Sequence, residues 1–230
     1  QHHFHMIPKG LPGEGNLMVF DNGGWGGYGT PNPSSPIGIK NALRDYSRVL
    51  EFNPVTLEVV WKLTPKELGH AIPTDASKFY SPYVSSAQRL PNGNTLVICL
   101  EKKSNEEAYA KGRIPGTLPE EGEWFEGKQH RGLFLDYLME IDRENNVVWE
   151  WHLWDHVGDA PDEFNLNYIL PPAAHYFSTV DWVHFNGVDY DPVHDRVCLT
   201  CRNFGEFVVV DRKSGRMIFR WGNPATHLRG

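Results

Sequence analysis

The sequence predicts an all-β chain of β-propeller blades, four-stranded antiparallel sheets, about three of them in 230 residues. Three observations carry this. Short runs rich in Val, Ile, Leu and aromatics recur, each bounded by Gly, Asn, Asp or Pro. Sustained helical periodicity is scarce. The same strand–turn–strand pattern then returns in three matched copies, the signature of a repeated blade.

Taken in order, strands are expected at Asn16–Phe20, Ser47–Phe52, Val59–Leu63, Thr95–Leu100, Leu135–Ile141, Val147–Leu153, Arg196–Thr200, Phe207–Asp211 and Met217–Trp221. The first copy runs Asn16-Leu17-Met18-Val19-Phe20, then Arg48–Asn53, a turn, and Val59-Val60-Trp61-Lys62. The second runs Asn94-Thr95-Leu96-Val97-Ile98, then Tyr137–Asp142, a turn, and Val147-Val148-Trp149-Glu150. The third runs Asp195-Arg196-Val197-Cys198-Leu199, then Glu206–Asp211, a turn, and Met217-Ile218-Phe219-Arg220-Trp221. Each ends strand, Asp or Asn, turn, strand, with an aromatic in the closing strand. Two helices are expected: Glu101–Lys111, stopped by Gly112, and a weaker one over Thr64–Leu68 behind Thr64-Pro65. Long insertions near residues 23–46 and 101–134 and a loop over Val157–Val180 separate the strands. Three blades alone leave open sheet edges, which recruit partners, and a ring closes with four or more.

Composition bounds the function. With 22 Lys+Arg against 29 Asp+Glu the formal net charge is −7, so no basic stripe points to nucleic acid or an anionic membrane. No apolar run approaches the roughly 20 residues of a membrane span. The 40% hydrophobic and 13% aromatic content excludes a disordered chain, and the expectation is one domain over residues 1–230. The chain opens on Gln1 rather than Met, as a processed product or a piece of a longer chain would, and the missing signal peptide says nothing about secretion. Cys198 and Cys201, three apart in a strand, point to opposite faces; buried thiols fit better than a shared zinc.

The innermost strand of a blade lines the central channel, where propellers place their sites. The first copy carries Gln1-His2-His3-Phe4-His5 there, the second Tyr83-Val84-Ser85-Ser86-Ala87-Gln88 and the third Asp181-Trp182-Val183-His184-Phe185-Asn186. Histidines and amides thus fall at matching places, with Arg202 one strand along. In an acidic chain such a cluster suits an anion, and a His attacks phosphorus or sulfur when a neighbour fixes its tautomer. No carboxylate is evidently placed beside His2 or His184, which argues against a metal. The Gly23–Gly29 run lacks the strand-to-helix setting of a phosphate loop. The Trp149–His156 run reads as an aromatic packing edge, with His152 and Trp154 on one face.

At Gln1-His2, His184-Phe185-Asn186 and Arg202-Asn203 the sequence resembles the bacterial arylsulfate sulfotransferases. The resemblance extends to Tyr80-Ser81-Pro82-Tyr83, Gln88–Leu96, Val148–His156 and Arg220-Trp221-Gly222-Asn223-Pro224. It implies a six-bladed propeller, of which this chain would be half, exported to the periplasm or secreted. It further implies transfer of a sulfuryl group from an aryl sulfate to a phenol with no cofactor and no nucleotide donor. By the same resemblance His2 is the transiently sulfated nucleophile, His184 and Asn186 are its His-x-Asn pair, and Arg202 its active-site arginine. His184 and Arg202 would be catalytic with His2, while Asn186, His3 and His5 would bind substrate. In that family the Arg-Trp-Gly-Asn-Pro segment runs on into Gln-His, and joining Gly230 to Gln1 would restore the order. Two copies closing a ring head to tail as a homodimer, a permuted or shortened relative, and pieces of a longer protein all fit. A propeller that binds a sulfated or glycan ligand or a partner protein without turnover is the alternative reading, and a metal-dependent hydrolase the third.

Overall fold

The computed structural model describes residues 2–23, 25–26, 41–42, 44, 46–81, 84–118, 120–121, 124–125, 128–129, 132–167 and 181–222. The first sheet takes β1 (His2–Met6), β2 (Leu17–Asp21), β5 (Arg48–Phe52) and β6 (Val59–Leu63), while the short β3 (Trp25–Gly26) and β4 (Asn41–Ala42) pair with each other. After β7 (Ser86–Arg89) and β8 (Thr95–Lys103) come a second short pair, β9 (Trp124–Phe125) and β10 (Lys128–Gln129), then β11 (Leu133–Ile141) and β12 (Val147–His152). The third sheet is β13 (Phe185–Asp191), β14 (Arg196–Cys201), β15 (Glu206–Asp211) and β16 (Met217–Gly222). The strand orders β1-β2-β5-β6, β7-β8-β11-β12 and β13-β14-β15-β16 are antiparallel meanders, the blade topology that the repeats predicted.

The chain divides into two compact units, Gln1–Leu100 with Leu138–Trp151 and Glu101–Tyr137 with His152–Gly230. In the first unit β6 alternates as a half-buried strand should, burying Trp61 and Leu63 and exposing Val60 and Lys62. Phe20 meets Phe79 edge-on at 5.9 Å in the core. Buried Glu51 ties sheet to loop. It accepts from Asn16 Nδ2 at 2.8 Å, Arg89 Nη2 at 2.5 Å and Arg143 Nη1 at 2.5 Å. Both guanidiniums also lie over the Trp61 ring, at 5.4 and 5.8 Å. Burial lowers the Arg89 guanidinium to about 10 against the opposing pull of Glu51. Glu140 accepts from Asn92 Nδ2 and Asn94 Nδ2, at 2.9 and 2.6 Å. The Gln88–Leu96 motif is therefore a structural clamp.

In the second unit Phe164, Trp182, Phe185 and Phe204 pack edge to face, with Phe164 and Trp182 centred 5.3 and 5.5 Å from Phe204. Arg220 lies 4.2 Å over the Phe164 ring and pairs with buried Glu206 at 2.9 Å. Gly222 sits at φ +143°, where a Cβ would come 2.3 Å from the Gly205 carbonyl. Arg220 and Gly222 thus have packing roles; Asn223 and Pro224 lie outside the described residues, as do Pro82, Tyr83 and most of the glycine run.

The helix expected from Glu101 begins only at α1 (Asn105–Ala110), behind a Ser104–Glu107 capping box. Glu101–Lys103 extend β8 instead, and Gly132, whose Cβ would stand 2.3 Å from the Lys103 carbonyl, lets the backbones approach there. Thr64–Leu68 forms no helix; single hydrogen bonds such as His70 N–H to Pro65 O make it a turn. Trp154 does not continue the strand beside His152, because Leu153–His156 is a 3-10 turn. Cys201 is buried but Cys198 only half so.

Candidate functional site

His2 opens β1, whose ladder is irregular between His2 and His5, and His3 adopts φ +47° within that bulge. His2 Nδ1 lies 2.8 Å from Asn22 Oδ1. The amide of buried Asn22 is itself oriented: its Nδ2 donates to the Ser81 carbonyl at 2.6 Å and to Ser85 Oγ at 3.0 Å. Ser47 Oγ then donates to the Asn22 carbonyl at 3.0 Å and takes the Ser81 N–H at 2.8 Å. With Nδ2 committed to acceptors, Oδ1 faces the ring, so His2 carries its proton on Nδ1 and the neutral ring's lone pair is on Nε2.

The other early histidines are placed by the same strand. Ser86 Oγ and His3 Nδ1 are 2.6 Å apart. His5 Nδ1 donates to the His3 carbonyl at 2.9 Å, and the two rings stack with centroids 4.2 Å apart. Beyond Asn22, Asp21 pairs with Arg44 and Arg48, each at 2.8 Å. Burial pushes the Asp21 carboxyl up, but the hydrogen bonds and charges of those arginines outweigh it and hold the carboxyl below its usual range.

The second unit holds His184 and Arg202. Asp181, Trp182, Val183, His184 and Phe185 are all buried, and His184 turns the chain at φ +63° just before β13. Its N–H donates to Asp136 Oδ2 and that of Phe185 to Asp136 Oδ1, both at 3.0 Å. Its Nδ1 hydrogen-bonds the Asp181 carboxylate. The β14–β15 turn closes over this segment: Arg202 N–H donates to the His184 carbonyl at 3.0 Å and Asn203 N–H to the Val183 carbonyl at 3.1 Å. Arg202 keeps an exposed guanidinium whose Nη1 donates to Asn203 Oδ1 at 3.1 Å. Asn186 is exposed at the ladder irregularity between Phe185 and Gly187.

Of the residues singled out in the sequence, His3 and His5 thus stack in the first unit with His2 on the same strand against Asn22, and the backbones of His184 and Arg202 are joined in the second. Two expectations are corrected. A carboxylate does stand beside His184, since the left-handed turn brings Asp181 back onto its ring. Nor do His2 and His184 occupy matching rungs. His2 pairs with Phe20, the fourth residue of β2, whereas the fourth residue of β14, Leu199, pairs with Val188. The sequence reading missed Asn22, Asp136 and Asp181. The readable signal for Asp136 was an acid inside the apolar run Leu133–Ile141. Among the described residues no three His, Cys, Asp or Glu side chains gather as metal ligands.

The fold is that of an all-β protein of blade-type sheets, with histidines hydrogen-bonded through Nδ1 in each unit and an exposed arginine in the second. The model of the arylsulfotransferase (ASST) family matches residues 1–115 and 118–228, and the chain belongs to that family. No curated protein matches it. Among solved structures it is similar to a protein of unknown function from Bacteroides caccae, with 11% identity and a TM-score of 0.31 over 76% of this chain and 54% of that one. It is also similar to the β-propeller domain of Cps50 (Swd1) from Myceliophteria thermophila, with 14% identity and a TM-score of 0.35 over 96% of this chain and 56% of that one. The chain therefore spans about half the length of these structures.

Proposed function

We propose that this chain transfers a sulfuryl group from an aryl sulfate to a phenolic acceptor through a sulfohistidine on His2. The observation that carries the reading is the chain of hydrogen bonds from the Ser81 carbonyl through Asn22 to His2 Nδ1. It leaves the Nε2 lone pair as the nucleophile. Nε2 attacks sulfur, the N–S bond forms as the aryl S–O bond breaks, and the phenolate leaves and takes a proton. An acceptor phenolate then attacks the same sulfur, the N–S bond breaks, and neutral His2 returns. The sulfuryl group passes from one oxygen to another with no change in oxidation state and no nucleotide.

Membership of the arylsulfotransferase family supports the reaction class. Two further groups of the resemblance have chemistry that fits the reaction class. The exposed Arg202 guanidinium, steadied by Asn203, suits the charge on sulfuryl oxygens, and losing one such donor costs about 100- to 1000-fold in kcat. The His184 ring, held by Asp181 at Nδ1, exchanges its working proton at Nε2. The test is turnover of 4-nitrophenyl sulfate with phenol as acceptor. His2→Ala should abolish nitrophenol release, and Arg202→Ala should lower kcat at least about 100-fold. Wild-type rates in both variants would refute the reading.

A further inference from the structure

His184 is a β-strand-flanking residue in a left-handed conformation, at φ +63°, which a non-glycine adopts only where its surroundings over-determine it. The surroundings here are two buried carboxyls. Asp136, fully buried in the apolar strand β11, spends one oxygen on the His184 N–H and the other on the next N–H, that of Phe185. Consecutive amides held by one carboxyl fix the turn. Asp181 then accepts from the ring through Oδ2, while its own main-chain carbonyl takes Asn203 Nδ2 at 2.8 Å and its backbone bridges Phe134.

The second Asp181 oxygen, Oδ1, is buried with no hydrogen-bond partner among the described residues. A buried acceptor left unused opposes folding and asks for a reason. Among the described residues the side-chain partners of these two carboxyls are amide N–H groups and the His184 ring. Burial, and then the charge of Asp181, push the Asp136 carboxyl well above its usual range.

We infer that Asp136 and Asp181 are positioning residues for His184, Asp136 setting the backbone turn and Asp181 fixing the ring with its proton on Nδ1, so that Nε2 is the nitrogen that gives and takes protons. Neither acid need touch substrate. The catalytic consequence rests on the sulfuryl-transfer reading; the tautomer does not.

The test separates the two. Ring-nitrogen NMR of the full chain, with the His184 signals assigned by their loss in His184→Gln, should show Nδ1 protonated in both charge states, with a downfield Nδ1–H. Asp181→Ala should move the neutral ring to the Nε2–H form that free histidine prefers, and Asp181→Asn, the gentler variant should Ala not fold, should weaken the downfield signal. In turnover of 4-nitrophenyl sulfate, Asp181→Asn should lower kcat about 10- to 100-fold with KM within about twofold. Asp136→Asn, which still offers one acceptor, should lose less than Asp136→Ala. A wild-type ring protonated at Nε2 when neutral, a tautomer unchanged in Asp181→Ala, or a downfield signal as strong in Asp181→Asn as in the wild type would overturn the assignment. The expected tautomer with no turnover in the wild-type chain would leave it standing and sink the sulfuryl-transfer reading instead.

Discussion

The backbone N–H of Arg202 donates to the carbonyl of His184 at 3.0 Å, tying the β14–β15 turn to the segment entering β13. Asn203 completes the lock through its own N–H to Val183 and its amide to the Asp181 carbonyl. Removing that amide leaves a buried main-chain acceptor unsatisfied. Asn203→Ala should therefore cost about 1–3 kcal/mol in urea unfolding and, by freeing Nη1 of Arg202, weaken binding of aryl sulfate.

Asn22 should behave as a positioning residue for His2. Asn22→Ala removes the acceptor that selects Nδ1–H and should lower kcat by about 10- to 100-fold while KM stays within about twofold. Asn22→Asp still accepts from Nδ1 and should retain more activity, although it gives up both bonds from Nδ2 to the serines. Steady-state kinetics with 4-nitrophenyl sulfate decide the order of the two.

Glu51 is the hub of the first unit. Glu51→Gln leaves the Arg89 guanidinium charged, fully buried and without its anion, a loss of about 3–5 kcal/mol. Arg143 reaches the same carboxylate from a half-exposed position, so Arg143→Met should cost only about 1 kcal/mol or less. Chemical denaturation of the two variants beside the wild type measures the contrast.

Two carboxyls predict pH effects of opposite sign. Asp21 has a folded value held below the unfolded 3.8, so its contribution to stability is present above that value and lost as pH falls through the folded one. Asp136 has a folded value raised above 3.8, so its contribution is present below 3.8 and lost as pH rises toward the folded value. In thermal unfolding from about pH 3 to about pH 8, Asp21→Asn should flatten the acid limb. The wild type should lose stability relative to Asp136→Asn as pH rises from acid toward neutral.

Most of the blade pattern was legible because strand alternation and Gly, Asn or Asp turns are local signals. The end of β8 was not. Glu101-Lys102-Lys103 has helical composition, but it continues β8 beside β11, a partner distant in sequence, and Gly132 lets the backbones approach at Lys103. Among the candidate residues, His2, His184 and Arg202 could be named from the resemblance, but what orients each of them could not. Asn22 is 20 residues from His2, and Asp136 is 48 from His184. Asp181 lies only three residues before His184, yet strand alternation sends such neighbours to opposite faces. The left-handed turn at His184, invisible in the sequence, reverses that.

Transfer of the sulfuryl group to His2 is the step that the proposed reaction turns on. Rapid-quench mixing of the chain with excess 4-nitrophenyl sulfate, without acceptor, tests it most directly when followed by peptide mass spectrometry of the quenched protein. The expected result is a burst of nitrophenol equal to the active chains, with one sulfuryl group on the peptide containing His2, which phenol then discharges. Nitrophenol release with no burst and an unlabelled His2, or a label on another residue, would contradict it.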